Sequence, residues 1–238
     1  MKLPPLHRGI LLRRYKRFLA DVRLPDGREV LAHCPNPGSM KTCAAPGWTV
    51  LLTHHTDPKR KLKWSWEVAI DDAESPILVN TARPNRIVEE AVAAGKISAL
   101  AGYESLKREV RYGSERSRID LLLQSPGRPD CFVEIKSVTM ADEGSGALFP
   151  DSVSKRGSKH LRELIAQKKS GDRAVLFFLL SRGSRSQVRP ADEIDAEYGR
   201  TLRKAIAAGV EVIAHQAIFS GTLAAYDISV GAAVPVRT

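Results

Sequence analysis

The sequence predicts a mixed α/β (α+β) protein: a small β-barrel first, then an α/β domain on a mixed central sheet. Two observations carry this expectation. Up to about residue 80 the chain reads as short strands and turns, whereas beyond it helical stripes alternate with strands. One late run, RAVLFFLL from Arg173 to Leu180, is apolar without alternation, as in a strand buried on both faces.

In the first part, GILLRRYKR, FLADVRL, REVLAHC, WTVLLTHH and KLKWSWEVAIDD each carry strand-forming residues. Asp26-Gly27 marks a hairpin between the second and third, because such turns impose a positive φ that glycine accepts. PNPGSM and APG punctuate the middle. Five or six strands without a long helix suggest a small closed barrel, with the OB-fold the expected type; SH3-like barrels read similarly.

After ILVNTARPNR the texture changes. Pro84 suits a first helical turn, and Ile87, Val88, Ala91 and Val92 line one stripe, predicting a helix to about Gly95. REVRYG, SRIDLLL and CFVEIKSVT follow as strands, then a Gly-containing loop, then a helix over SKHLRELIAQKK with Leu161, Leu164 and Ile165 inward. RAVLFFLL comes next, before a helix over ADEIDAEYGRTLRKAIAAG and a strand over VEVIAHQAIF. The predicted boundary assigns residues 1–82 to the barrel domain and 83–238 to the α/β domain.

The 238 residues are 43% hydrophobic and 27% charged, which fits a globular chain and not a disordered one. No apolar run approaches the roughly 20 residues of a membrane helix, so no membrane partner is expected. The start, MKLPPLHRGILLRRYKRF, has no cleavage pattern, and Cys34, Cys43 and Cys131 form no CxxC pair. Both features predict a cytoplasmic protein with reduced thiols. The net charge of +10 favours a polyanionic partner, since each Lys or Arg set on a phosphate releases condensed counterions.

The chemistry gathers in CFVEIKSVT. Glu134 and Lys136 interrupt a run of strand formers two residues apart, hence on one face. With the turn SPGRPD centred near Gly127, Asp120 and Glu134 each lie seven residues from it and face each other, their Cβ atoms about 5 Å apart. Asp120, Glu134 and Lys136 thus converge, while Ile119, Leu121, Val133 and Ile135 point to the other face. Two carboxylates about 4–5 Å apart repel by about 3–4 kcal/mol at an effective dielectric near 20. Such a pair is stable when one is protonated or a cation sits between them. Oxygen ligands completed by water and a phosphate suit Mg²⁺ or Mn²⁺, and the lysine amine would orient or help deprotonate an attacking water. The plain alternative is a Glu134–Lys136 ion pair with Asp120 at the surface.

SRIDLLL…CFVEIKSVT resembles the D-x(n)-(D/E)-x-K signature of PD-(D/E)xK, restriction-endonuclease-like nucleases, whose core has a similar helix–strand order. HCPNPGSM, VNTARPNRIVEEA, SRIDLLL, VEIKSVT, FPDSVSKRGSKHLREL and GVEVIAH together resemble the sugar fermentation stimulation protein A family across both halves. That resemblance implies a DNA-binding protein with an OB-like N-terminal domain, a nuclease-like C-terminal domain and an effect on sugar utilisation. Carried onto this sequence, it implies Asp120, Glu134 and Lys136 as catalytic residues, with Asp120 and Glu134 holding Mg²⁺ or Mn²⁺. A helix acid is implied as a further ligand, Glu89 or Glu90, with Glu90 preferred. Ile119 stands where the literal signature has proline, and Asp130, which spells its PD, falls in the turn.

Further cations surround these blocks. Lys155, Arg156, Lys159 and His160 crowd a helix start, where they would clamp a DNA phosphate or form a solvated helix end; His160 could equally pack the helix. Arg13 and Arg14 beside Tyr15, and Lys61 and Lys63 beside Trp64 and Trp66, interleave cations with aromatics as single-strand-binding barrels do. Trp64 and Trp66 share a face, so at least one is expected to fill the barrel. HCPNPGSM reads as a turn at the interdomain surface; His33 and Cys34 lack a second ligand pair at zinc spacing. Two functions of different class remain: a Mg²⁺-dependent DNA endo- or exonuclease, or a non-catalytic DNA-binding regulator of sugar-utilisation (maltose-type) genes.

Overall fold

The structure, a computed structural model, describes residues 1–142, 144 and 146–238. Strands β1 (Leu6–Tyr15), β2 (Leu19–Arg23), β3 (Glu29–His33), β4 (Thr49–His54) and β5 (Trp64–Ile70) arise from the five predicted segments. They lie in the order β3-β2-β1-β4-β5, and a parallel pairing of Ala32 with Trp64 closes them into an OB-like barrel. Gly27, at φ +86°, turns β2 into β3. Leu11, Val22, Val50, Leu52 and Trp66 fill the barrel, and the Trp66 indole N–H donates to the Val68 carbonyl at 3.0 Å. Trp66 is therefore the barrel-filling member of the pair, and Trp64 stays half-buried at the wall. A short β6 (Pro76–Leu78) extends beyond β5.

The second unit begins with α1 (Pro84–Ala93), followed by β7 (Ser105–Tyr112), β8 (Ser117–Gln124) and β9 (Cys131–Val138). The loop after β9 contains β10 (Met140–Ala141) and β11 (Gly146–Phe149); its positions 143 and 145 lie outside the described residues. Then come α2 (Lys155–Lys169), β12 (Arg173–Leu180), β13 (Gln187–Pro190), α3 (Ala196–Ala207), β14 (Glu211–Thr222) and β15 (Ala225–Ala233). The main sheet runs β15-β14-β12-β9-β8-β7 and is mixed, with β12 parallel to both neighbours and the remaining pairs antiparallel. RAVLFFLL is apolar throughout because β12 is central: Val175, Phe177 and Leu179 face one core, Ala174, Leu176, Phe178 and Leu180 the other.

The first core joins the units. α1 packs Ile87, Val88 and Ala91 over Leu121, Val133 and Phe177, and barrel residues Leu51, Val68 and Leu78 enter the same cluster. The second core lies beneath α2 and α3, around Leu161, Leu164 and Leu202. Residues 1–3 join the second unit: the Leu3 N–H donates to Tyr226 of β15 at 2.8 Å. No helix among the described residues is long and apolar enough to cross a membrane.

Polar contacts reinforce this junction. Arg182, after β12, reaches Asp71, after β5, at 2.7 Å, with side-chain exposures of only 6% and 7%. Arg182 also donates to the Thr42 carbonyl at 2.6 Å. Removing one partner strands a buried charge, whereas replacing both by apolar groups does not. Arg182→Ala is thus expected to lower unfolding free energy by about 3–5 kcal/mol in urea titrations. The pair Arg182→Met with Asp71→Leu should lose clearly less; equal loss would refute the stranded-charge account.

Candidate functional site

β8 and β9 are joined by the predicted turn, and their ladder pairs Leu123 with Cys131, Leu122 with Phe132 and Leu121 with Val133. The next step of that register sets Asp120 level with Glu134. There the ladder stops, and the Asp120 carboxylate enters the gap: Oδ2 accepts the Ile135 backbone N–H at 2.7 Å. Oδ1 accepts the Asn85 amide of α1 at 2.8 Å.

One part of the predicted alternation fails here. Leu121, Val133 and Ile135 share the α1-side core, but Ile119 packs in the α2-side core with Leu122. The cause lies in β7, where Glu109, at the skipped pair facing Asp120, adopts φ +53°. Beyond it both strands have turned over, since Val110 also contacts the α2-side core.

Glu134 is 2% exposed on β9. Its Oε1 accepts the Lys136 ammonium at 2.6 Å and the His160 imidazole Nδ1 from α2. Its Oε2 is buried without a hydrogen-bond partner among the described residues. Burial pushes the Glu134 carboxyl up, but Lys136 and His160 together outweigh it, and the net position is below its ordinary value. Asp120 goes the other way: burial, then the Glu134 charge, push it up to about 7. The two acids are thereby separated into a carboxylate and a partner that keeps its proton below about pH 7, the arrangement expected of like charges sharing one site.

These residues open into a cavity of about 470 Å³, lined also by Asn36, Gly38, Thr81, Asp151, Ser154 and Arg156. The barrel supplies one wall through HCPNPGSM, as the interdomain reading anticipated. Arg14 clamps this loop by donating to the carbonyls of Asn36, Gly38 and Ser39 at 2.9, 3.0 and 3.3 Å. The loop's Met40 N–H and Ser39 hydroxyl each reach Asp151 Oδ2 at 3.4 Å. A β-carbon at Gly38 would lie 2.3 Å from that oxygen, so a larger residue there would displace the Asp151 carboxylate.

The remaining predicted residues scatter. Glu90 is not brought to the site: it meets the Met1 amino group at 3.1 Å and Arg86 at 3.0 Å, while Glu89 pairs with Arg108 at 3.4 Å. Both acids sit on the turn of α1 that faces away, and Asn85, one turn earlier, occupies the place expected of a helix acid. Arg156 lines the cavity and donates to His160 Nε2 at 3.3 Å, while Lys155 is exposed and Lys159 is spent on the Glu115 carbonyl. His160 is buried at 5% exposure rather than displayed to a ligand. Arg14 is committed to the loop rather than the outer surface, Arg13 pairs with Asp21 at 2.6 Å, and Lys63 donates to the Asp57 carbonyl at 2.7 Å. Lys61 is exposed. Trp64 packs against His54 and His7, with ring centroids 4.5 and 5.1 Å away. Asp130 takes a bond from Gln124 at 2.7 Å, in the turn.

The donor set fits a hard divalent cation in one respect: an orphaned, buried carboxylate oxygen stands beside a second carboxyl. Among the described residues no group of three or more His, Cys, Asp or Glu is placed to hold a metal, so water or a substrate oxygen must complete the shell.

Two family models match the chain: the SfsA N-terminal OB domain over residues 12–79, and the sugar fermentation stimulation protein RE domain over residues 82–222. The chain belongs to the sugar fermentation stimulation protein (SfsA) family. Relatives named sugar fermentation stimulation protein homolog are 53% identical in Geobacter sulfurreducens and 50% in Shewanella baltica; each match spans 92% of this chain, and 92% and 93% of the relatives. A solved structure of Pyrococcus furiosus SfsA in complex with Ca²⁺ is 29% identical, covers 100% of this chain and 98% of that one, and superposes with a TM-score of 0.86.

The raised Asp120 carboxyl makes a stability prediction. The folded protein keeps that proton up to about pH 7, whereas an unfolded aspartate releases it near pH 4. Between those values the native state binds more protons, so stability falls as pH rises through the window. Without divalent ions, Asp120→Asn should gain on the order of 5 °C over the parent at pH 8 and almost nothing at pH 4. An equal gain at both, read by thermal melting, would contradict the assignment.

Proposed function

We propose that this protein binds DNA and hydrolyses its phosphodiester backbone in the Asp120–Glu134–Lys136 cavity with Mg²⁺ or Mn²⁺. The supporting observation is the unpartnered, buried Glu134 Oε2 beside the raised Asp120 carboxyl. Burial of an oxygen with lone pairs and no donor is costly unless something else binds it. The Ca²⁺ in the Pyrococcus furiosus relative agrees with a hard cation at such oxygens, since Ca²⁺ and Mg²⁺ both take oxygen ligands.

When bound, the cation supplies Lewis-acid polarisation of a phosphoryl oxygen and a more acidic water. The chain's own groups do the rest. Asp120 and Glu134 present oxygens, and Asn85 with the Ile135 N–H fixes the angle of Asp120. Lys136, 14% exposed and tethered to Glu134 Oε1, places an ammonium where charge grows on the phosphorus centre and can orient the attacking water. Arg156 at the rim and the N-terminus of α2 offer donors to a neighbouring phosphate.

The barrel supplies the second contact surface. Trp64, flanked by His7 and His54, and Phe18, 45% exposed and stacked on His33, are two ring stations for the bases of a single-stranded segment. Arg60, Lys61 and Lys63 supply cations beside them. One observation favours the non-catalytic regulator of sugar utilisation: only two carboxyls converge and no third acid joins them among the described residues.

Incubating linear, nicked, supercoiled and single-stranded DNA with the protein and Mg²⁺ or Mn²⁺ separates the readings. Cleavage is expected, with Lys136→Ala reducing it by about 100-fold or more while DNA affinity changes by less than about threefold. Intact DNA throughout, with Asp120→Ala leaving affinity untouched, would leave the regulator. Binding itself should weaken linearly in log K against log salt, and Arg156→Ala should lower that slope by about one. A salt-independent affinity would end the phosphate-contact account.

A further inference from the structure

We propose that His160 is the positioning residue of this site: it holds Glu134 Oε1 jointly with Lys136, so that Oε2 is the oxygen left free to bind a cation. The inference rests on the proposed cation site but stands on hydrogen-bond chemistry. Arg156 Nε lies 3.3 Å from His160 Nε2. A guanidinium has donors and no acceptor, so Nε2 must carry the lone pair and the ring proton must sit on Nδ1. That N–H points at Glu134 Oε1.

The same assignment explains a second contact. Lys136 Nζ is 3.3 Å from Nδ1, but two donors cannot bond each other; both converge on Oε1, which Lys136 reaches at 2.6 Å. Oε1 is thus doubly engaged, whereas Oε2 has no partner among the described residues. Lys136 alone has a flexible four-carbon stem and would let the carboxylate rotate. The imidazole, rigid and 5% exposed on α2, removes that freedom. Arg156 belongs to the chain of contacts because it lines the cavity: a phosphate that engages its guanidinium acts on the imidazole that fixes Glu134. Partners that orient a ligand's side chain are worth about 10–100-fold in metal affinity.

The test uses the full chain and variants that mimic one ring nitrogen each. His160→Asn puts an amide N–H near the Nδ1 position, whereas His160→Gln places its amide near Nε2, and His160→Ala has neither. Mn²⁺ affinity is measured by calorimetry or by electron paramagnetic resonance, with no DNA present. His160→Asn is expected within about threefold of the parent, and His160→Gln and His160→Ala weaker by about 10–100-fold. Long-range ¹H–¹⁵N correlation of the metal-free protein should show the Nδ1–H tautomer.

An Nε2–H tautomer overturns the inference whatever the metal does. So do three variants of equal Mn²⁺ affinity. A parent that binds no Mn²⁺ while showing the Nδ1–H tautomer overturns the cation reading and, with it, the role of Oε2. If His160→Ala fails to fold, the tautomer and the Asn–Gln contrast still decide the matter.

Discussion

A buried carboxylate on the middle of a central strand is the constraint around which this molecule is organised. Glu134 lies between apolar neighbours on β9, where an ionised group without compensation would be strongly destabilising. The compensation is local and geometric: strand pleating sets Lys136 on the same face two residues on, and its ammonium reaches Oε1 at 2.6 Å. Because β12 packs both of its faces against apolar cores, the charge has no way out through the sheet. α2 must therefore approach from one side with a polar group, His160, instead of another leucine.

The second acid depends on the sheet being interrupted. Asp120 reaches the site only because the β8–β9 ladder ends at Leu121–Val133 and its carboxylate takes over the Ile135 N–H. The left-handed Glu109 turns the strands over at that level. The helix contact that steadies Asp120 is traceable back to the barrel: buried Glu67 of β5 holds Arg83 through two bonds of 2.8 and 2.9 Å, immediately before α1 begins. Asn80 and Thr53 take further places on the same carboxylate, at 2.8 and 3.1 Å. Two residues beyond Arg83 stands Asn85.

The strands of the barrel, the three α-helices and the pairing level of Asp120 with Glu134 were legible because each leaves a periodic or symmetric trace: alternation, a 3.6-residue stripe, equal distances from Gly127. β6, β10, β11 and β13 are too short to leave such a trace and were not anticipated, and neither was the edge strand β15. Asn85 leaves no charge signal in the sequence because its amide is neutral, whereas Glu89 and Glu90 do, and the helix turns these toward Arg108 and the Met1 amino group. Arg14 illustrates the same limit for cations. Composition counts it toward the +10 net charge, but its donors are consumed by the carbonyls of Asn36, Gly38 and Ser39. His160 stayed open between a phosphate donor and a helix-packing residue, because sequence shows neighbours along the chain and not Glu134 across the fold.

The cavity is composite, and this bears on what could enter it. One part of its lining is the Asn36–Gly38 loop of the barrel; another is the Asp151–Ser154 segment that precedes α2. Their contact runs through side-chain oxygens, since a β-carbon at Gly38 would meet the Asp151 carboxylate and the Asn36 amide oxygen. Glu67–Arg83, Asp71–Arg182 and the shared apolar core fix the barrel against the second unit and hence fix that contact. A ligand entering this cavity would meet residues of both units before Lys136. A change that loosens the junction would therefore reshape the cavity without altering either carboxyl.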